Sequence, residues 1–337
     1  MKSIYKVVFL FILAAVSLTA CEQDEAQESR EGKVAIIPQL AGMYVVTPGN
    51  GTKTRAANHE HLSTIINLPE GATLRLIAQK NGETSPTIQD YVVRTSGGGS
   101  QSLYPCTIDD ATGEVDPDSE SKDPLYLTSG DYTFRAVSPA HKFNKTNSTI
   151  TIGNGESVVA NNSKWTQTEP TSINVAATAS QVVLLKPMMQ LTARMTFTIA
   201  EGAGVSALSV MQDGIEIDGI REGTVELDYS TGLDSIAAII ANNNERIYIK
   251  EKDIIVQDKS IRGEVCLLPI DNRPYHMTII LNLLVNGVPT QFTYSIVDKI
   301  LYAGYSYDYI VTVNVKDHIT VANWQETSWS TIVSPQP

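Results

Sequence analysis

Apolar and polar residues alternate with a period of two along most of this chain, and Gly, Pro, Asn or Asp cut the alternation every ten or so residues. In the first half Leu74–Ala78, Tyr91–Arg94, Leu125–Leu127, Tyr132–Val137 and Thr149–Ile152 read as short strands. Turn signals at Pro69-Glu70-Gly71, Asn81-Gly82, Ser96-Gly97-Gly98-Gly99, Ser129-Gly130-Asp131 and Gly153-Asn154-Gly155 separate them. Ile108–Asp123 is acidic and turn-rich and reads as a surface loop, while Ser157–Ser180, with Trp165, is less regular. Strands resume at Val182–Leu185 and Leu191–Ile199. They continue at Leu208–Met211, Ile215–Ile220, Val225–Tyr229, Arg246–Lys250, Ile254–Val256, Gly263–Leu268, His276–Val285, Thr290–Ile296 and Tyr307–Val315. Asn286-Gly287 between two apolar runs predicts a hairpin, and Ser235–Ala241 reads as a short helix. Strands in this rhythm predict an all-β sandwich.

The stretch Gly32–Ala56 holds two apolar runs, Lys33–Gln39 and Met43–Thr47, and then a Gly/Thr/Lys loop that ends in Thr54-Arg55-Ala56. Proline cannot donate to a central ladder, so Pro38 predicts an edge strand for the first run. Arg55 stands in a flexible loop where a protease can bind extended chain. Cutting there and losing the strand ahead of it would leave an open sheet edge, which pairs with whatever strand is offered.

Composition and the N-terminus narrow the setting. Residues 1–20 read as an export signal, with Lys2 and Lys6 ahead of the apolar Val7–Val16. Leu18-Thr19-Ala20-Cys21 resembles the lipobox of bacterial lipoproteins, which makes Cys21 the expected lipidation site and anchors the chain without crossing the membrane. Residues 21–31 form an acidic tether too poor in apolar residues to fold; it resembles a surface-export signal and reads equally as a plain linker. The remaining length suits two domains, 32–187 and 188–337, divided near Pro187. A formal charge of −12 without a Lys/Arg cluster argues against nucleic acid. Cys106 and Cys266 read as small buried hydrophobes.

Catalytic and metal signatures are weak. The five histidines are scattered, and His59-Glu60-His61 lacks a third ligand at a metal-site spacing. Asp116, Asp118 and Glu120 alternate as in a calcium loop, yet Ser121 replaces the needed glycine and no closing glutamate follows. Ser96–Ser100 is glycine-rich without a following Lys-Ser/Thr, and no serine occupies a nucleophile elbow. Tyr302, Tyr305, Tyr307 and Tyr309 crowd one strand. Positions 305, 307 and 309 share a face that reads as core or groove lining before a sugar platform. Asp234-Ser235-Ile236 weakly matches a short O-glycosylation signal.

Several of these features together resemble one family, the fimbrillin-type (type V) pilus subunits of Bacteroidetes. They are the lipobox and acidic tether, Thr54-Arg55-Ala56 after a strand, Gly130-x-Tyr132-x-Phe134-x-Ala136, Leu191–Ile199, and Leu301-x-Ala303-Gly304-x-x-Tyr307-x-Tyr309 followed by Trp324. The resemblance implies two transthyretin-like β-sandwich domains in tandem and a lipoprotein precursor at the outer membrane and cell surface. It implies removal of an N-terminal strand by an arginine-specific protease and filling of the vacated groove by a neighbouring subunit. Carried onto this chain, the cut falls at Arg55-Ala56, at the end of a removable segment 33–55 whose strand lies within Lys33–Thr47. The strand residues are Val34, Ala35, Ile36 and Ile37, or Tyr44, Val45 and Val46. The donor tail holds Ile319, Val321, Trp324, Trp329, Ile332 and Val333.

The chain therefore reads as a structural pilus subunit, not an enzyme, with no cofactor, metal or catalytic residue. Its expected partners are other pilus subunits, the protease, the membrane through Cys21, and host or bacterial surface ligands. A lipid-retaining pilus anchor and a glycan-binding surface lipoprotein are the alternatives.

Overall fold

The computed structural model describes residues 31–46, 62–110, 114–116, 119, 123–146, 149–152, 162–176, 179–226, 238–257, 259–271, 277–296, 300–315 and 318–328. Strands are numbered along the chain and grouped here by sheet. Sheet A joins β1 (Val34–Leu40), β7 (Leu125–Leu127) and β13 (Ser180–Leu185) in the order β13-β1-β7. Sheet C holds β4 (Thr73–Lys80), β5 (Thr87–Thr95), β6 (Gln101–Cys106), β8 (Gly130–Ser138), β11 (Lys164–Gln167), β12 (Thr171–Ile173) and β14 (Met189–Gln190), with β4 and β8 central. Sheet E holds β9 (Phe143–Asn144), β10 (Thr149–Ile152), β16 (Leu208–Glu226), β17 (Ala238–Ile249), β21 (Met277–Val285) and β22 (Val288–Ile296). Sheet F runs β18 (Ile255–Gln257), β19 (Ser260–Leu267), β15 (Ala193–Glu201), β24 (Tyr305–Asn314) and β25 (His318–Ser328), in that order. Two small pairs complete the set: β2 (Met43–Val46) with β3 (Leu62–Ile66), and β20 (Ile270–Asp271) with β23 (Ile300–Leu301).

Two hydrophobic cores follow from the alternation. Val34, Ile36, Leu125, Leu127, Val183 and Leu185 of sheet A meet Leu74, Leu76, Tyr91, Val93, Phe134 and Ala136 of sheet C. Met195, Phe197, Ile199, Tyr305, Tyr307 and Tyr309 of sheet F meet Ile215, Ile217, Ile279 and Leu281 of sheet E. The first core draws on residues up to Met188 and the second begins at Met189. Each is the inner layer of a β-sandwich.

Sheet C is buried on both faces, which explains why β4 is apolar at consecutive positions. Its second face, through Ile77, Val137 and Trp165, packs against Phe143, Ile150 and Leu268. Two ladders also run across residue 187: β10 pairs with β16, and β14 pairs with β11.

Several local expectations hold and others do not. Asn286 and Gly287 take positive φ in the β21–β22 hairpin, and the Asn286 carboxamide oxygen accepts the Ser206 and Ala207 amides. Leu208–Met211 and Ile215–Ile220 belong to one long strand instead of two. The register slips between Val210 and Ile215, so the extra residues bulge out without ending the ladder. Ser235–Ala241 is not a helix from Ala238 onward: Ala238 to Ile240 pair with β16, and a partner strand decides the conformation of so short an apolar run. Ser157–Ser180 contains β11 and β12.

Gly42 sits between β1 and β2 with φ +104, and a Cβ there would overlap the Ile66 carbonyl oxygen. Gly42→Ala is expected to cost about 1–3 kcal/mol through left-handed strain and the clash. Urea unfolding of the two proteins measures it.

Candidate functional site

The site begins with β1, which fills a slot and does not lie at an edge. It pairs in parallel with β13 from Ala35↔Ser180 to Leu40↔Leu185, and antiparallel with β7 from Val34↔Leu127 to Ile36↔Leu125. The edge position expected from Pro38 is therefore corrected: β1 is the middle strand of sheet A. The physical reason lies in the direction of its amides. The Ala35 N–H reaches the Ala179 carbonyl on the β13 side, so alternation turns the Pro38 nitrogen toward the β7 side. There the ladder has already stopped at Ile36, and the next residue in register on the β7 strand is Pro124. A missing N–H at Pro38 breaks no bond.

The side chains of β1 follow the pleat. Val34 and Ile36 are fully buried in the first core, Pro38 is also buried, and Ile37 faces outward at 44% exposure. Beyond the end of β7, a cleft of about 350 Å³ lies beside the last residues of β1, lined by Ile37–Leu40, Val93 and Gln101–Leu103.

The second apolar run has a different place. In β2 the Tyr44 N–H donates to the Met188 carbonyl at 2.8 Å, and the Met188 N–H donates to the Gly42 carbonyl at 2.8 Å. Met43 joins the first core while Tyr44 packs against the second, and β2 pairs with β3. One segment thus touches both cores within ten residues of β1's start. Val45 is buried; Val46 closes the β2 ladder opposite Leu62.

At the other end, β25 is the edge strand of sheet F and pairs with β24 from Tyr305↔Ser328 to Asn314↔His318. Ile319 stands opposite Val313, Val321 opposite Val311 and Trp324 opposite Tyr309. Cys21, Arg55, Ala56, Trp329, Ile332 and Val333 lie outside the described residues, as do Asp118, Glu120 and Ser121. So do Asp234-Ser235-Ile236.

A buried polar cluster lies where the two cores meet. His141 Nε2 and Ser163 Oγ are 2.7 Å apart, the spacing of a base and a nucleophile, but Ser163 has no exposed surface. Burial first, then the nearby Arg75 and Lys164, hold the His141 pKa down at about 4. Lys164 Nζ donates to the Asn162 carbonyl and carboxamide oxygens, and burial lowers its pKa to about 8. Cys106 and Cys266 are buried, and desolvation raises the Cys266 thiol to about 12. A sealed serine and a resistant thiol present no reactive group to solvent. Among the described residues no group of three His, Cys, Asp or Glu side chains is placed to hold a metal ion.

His141 makes stability depend on pH with a definite sign. Its folded pKa of about 4 lies below the ordinary value of 6.5, so between those values the unfolded chain binds the extra proton. Stability is complete above pH 6.5 and is lost as the pH falls toward 4, by about 1–2 kcal/mol for this partly exposed ring. Urea midpoints at pH 7 and pH 5 should differ less for His141→Gln than for the parent protein.

The pairing of β1 with β13, 140 or more residues away, was invisible in the sequence. Only the apolar alternation of Val183 and Leu185 hinted at a core-facing strand. The cluster around Lys164 gave no signal, because Asn162-Ser163-Lys164 meets Arg75 and His141 only through pairing of distant strands.

The whole architecture is that of an all-β, sandwich-built protein whose N-terminal strand is held between two others. Comparison with known proteins supplies the class. The chain matches the fimbrillin-like family over residues 33–333 and belongs to it. It is similar to the crystal structure of a candidate cell adhesion protein from Bacteroides fragilis NCTC 9343, at 31% identity over 90% of this chain and 100% of that one, with a TM-score of 0.67. Candidate cell adhesion proteins from Bacteroides uniformis ATCC 8492 and Bacteroides ovatus ATCC 8483 share the fold at 13% identity. They cover 89% of this chain, and 100% and 98% of their own, with TM-scores of 0.51 and 0.52. No curated protein sequence matches. Membership of this family marks the chain as a fimbrial subunit of the cell surface that associates with other subunits, with a structural and not a catalytic role.

Proposed function

We propose that the chain is the lipoprotein precursor of a pilus subunit, stored with its own strand in place and activated by cleavage at Arg55-Ala56. In this reading Cys21 carries the lipid at the outer membrane and the segment 33–55 leaves after the cut. The C-terminal segment of the next subunit then enters between β7 and β13. Separate cores on either side of Pro187 support a division into domains 32–187 and 188–337.

The observation that carries the proposal is the seating of β1. It is paired on both sides, it gives Val34 and Ile36 to the core, and Arg55 follows it in the chain. Each such side chain contributes about 1.5–3 kcal/mol when fully buried, enough to keep the slot closed until an equivalent strand replaces it. Withdrawing β1 also leaves the facing edges of β7 and β13 unpaired, a template for one added strand. Donation from one subunit to the next does not close on itself and builds a fibre.

Digestion of the purified protein with an arginine-specific protease tests this. The expected result is a stable product that begins at Ala56 and polymerises, with Arg55→Ala blocking both. An uncut protein, or a product that falls apart, favours the anchor or the glycan-binding lipoprotein.

A further inference from the structure

Sheet E ends in a strand that lacks the usual protections of an edge. β22 pairs with β21 over its whole length without a register shift, and among the described residues no strand pairs with its other side. Edge strands are normally blunted by charge, by a bulge or by brevity. Val288–Ile296 runs for nine residues with no charge among them, and its one proline, Pro289, stands next to one end. The other long edge strands differ: β17 carries Glu245 and Arg246 on a ladder with repeated register slips, and β25 carries Glu326 and a slip opposite Ile310 and Val311.

The hairpin fixes which backbone groups are left over. Val285↔Val288 closes the turn, so Val288 and, at every second position, Thr290, Phe292 and Tyr294 aim their amides and carbonyls at β21. Gln291, Thr293 and Ser295 aim theirs away from it, and all three residues are exposed. Their side chains lie on the outer face of the sheet, where Gln291 Nε2 donates to Asn282 Oδ1 at 2.8 Å. On the inner face Phe292 is only half-buried against the second core, and Tyr294 is 40% exposed with its ring 5.4 Å from that of Tyr309.

We propose that β22 is an interface for a second copy of this chain, two β22 strands pairing antiparallel about a two-fold axis at Thr293. A strand without charge offers no electrostatic address to a partner of other chemistry, whereas its own sequence complements it. With Thr293 facing the second copy's Thr293, Gln291 faces its Ser295, and every outward amide of these residues finds a carbonyl. On the inner face Phe292 then lies beside the second copy's Tyr294 and covers a ring that is exposed in the single chain. Aromatic and Thr–Thr pairs are among the cross-strand pairs that stabilise a sheet. The contact is isologous and closes as a dimer. It needs neither cleavage nor an emptied slot, so it is independent of strand exchange and joins subunits side by side instead of end to end. One strand pair is a small interface that binds weakly; repeated along a fibre, many such contacts act together.

Sedimentation of the uncut protein over a concentration series tests this. The parent should dimerise as its concentration rises, and Thr293→Lys and Thr293→Glu should each weaken dimerisation about tenfold or more, because each sets like charges face to face at the axis. Thr293 is exposed and its amide does not serve the β21 ladder, so both variants should keep the parent's circular dichroism and Tm. An equal mixture of the Lys and Glu variants should dimerise about as well as the parent, since opposite charges then meet at position 293. A parent that stays monomeric at every concentration, single variants that dimerise like the parent, or a mixture that stays dissociated would overturn the pairing and leave strand exchange untouched.

Discussion

Trp165→Ala should destabilise the protein by about 3–5 kcal/mol, the range for truncating a large buried aromatic. Trp165 is 2% exposed and packs with Ile77, Val137, Phe143, Ile150 and Leu268. That cluster is where the second face of sheet C meets β9, β10 and Leu268, a residue that follows β19 of sheet F. The loss should therefore do more than lower a midpoint. With the two cores separated at Met188 and Met189, weakening the cluster between them should split one unfolding transition into two. The indole N–H has no hydrogen-bond partner among the described residues, so Trp165→Phe should retain most of the stability. Calorimetry on the two variants decides the matter: a single, barely shifted transition in Trp165→Ala would show that the cluster does not couple the cores.

What the sequence made legible was mostly local. Alternation marks the inward faces of β15 and β24, and the hairpin at Asn286-Gly287 follows from the backbone those two residues favour. Tyr305, Tyr307 and Tyr309 share one face of an alternating strand and are all buried in the second core. Pairing between distant strands was not legible, because nothing in a residue's own chemistry says which open edge it will meet. Pro38 shows this most clearly. Proline argues for an edge only if its nitrogen faces a partner, and that depends on where β7 ends, which Pro124 decides 86 positions later. The two apolar runs before Arg55 looked interchangeable, yet β1 sits in the slot while β2 lies against Met188 with Tyr44 on the second core.

Ile36→Lys is the substitution that separates a seated strand from an ordinary core strand. Ile36 has no exposed surface and lies between Leu125 on one side and Gln181 on the other. An unpaired ammonium in that position costs about 4 kcal/mol or more unless β1 moves out to hydrate it. Expulsion is the cheaper response, because β7 holds only three residues of β1 and the rest of its second side is unpaired. Hydrogen exchange should then show lost protection in Val34–Leu40, Leu125–Leu127 and Ser180–Leu185, while β15 and β24 of the second core stay protected. Under the strand-exchange reading the uncut variant should also take up a peptide of the donor tail, since its slot is open without proteolysis. Global loss of protection would mean that β1 is integral to the fold of sheet C as well, and unchanged protection would mean that Ile36 tolerates charge where it sits. Either result removes the basis for a strand held in reserve for exchange, because a placeholder must leave its neighbours folded and their edges free.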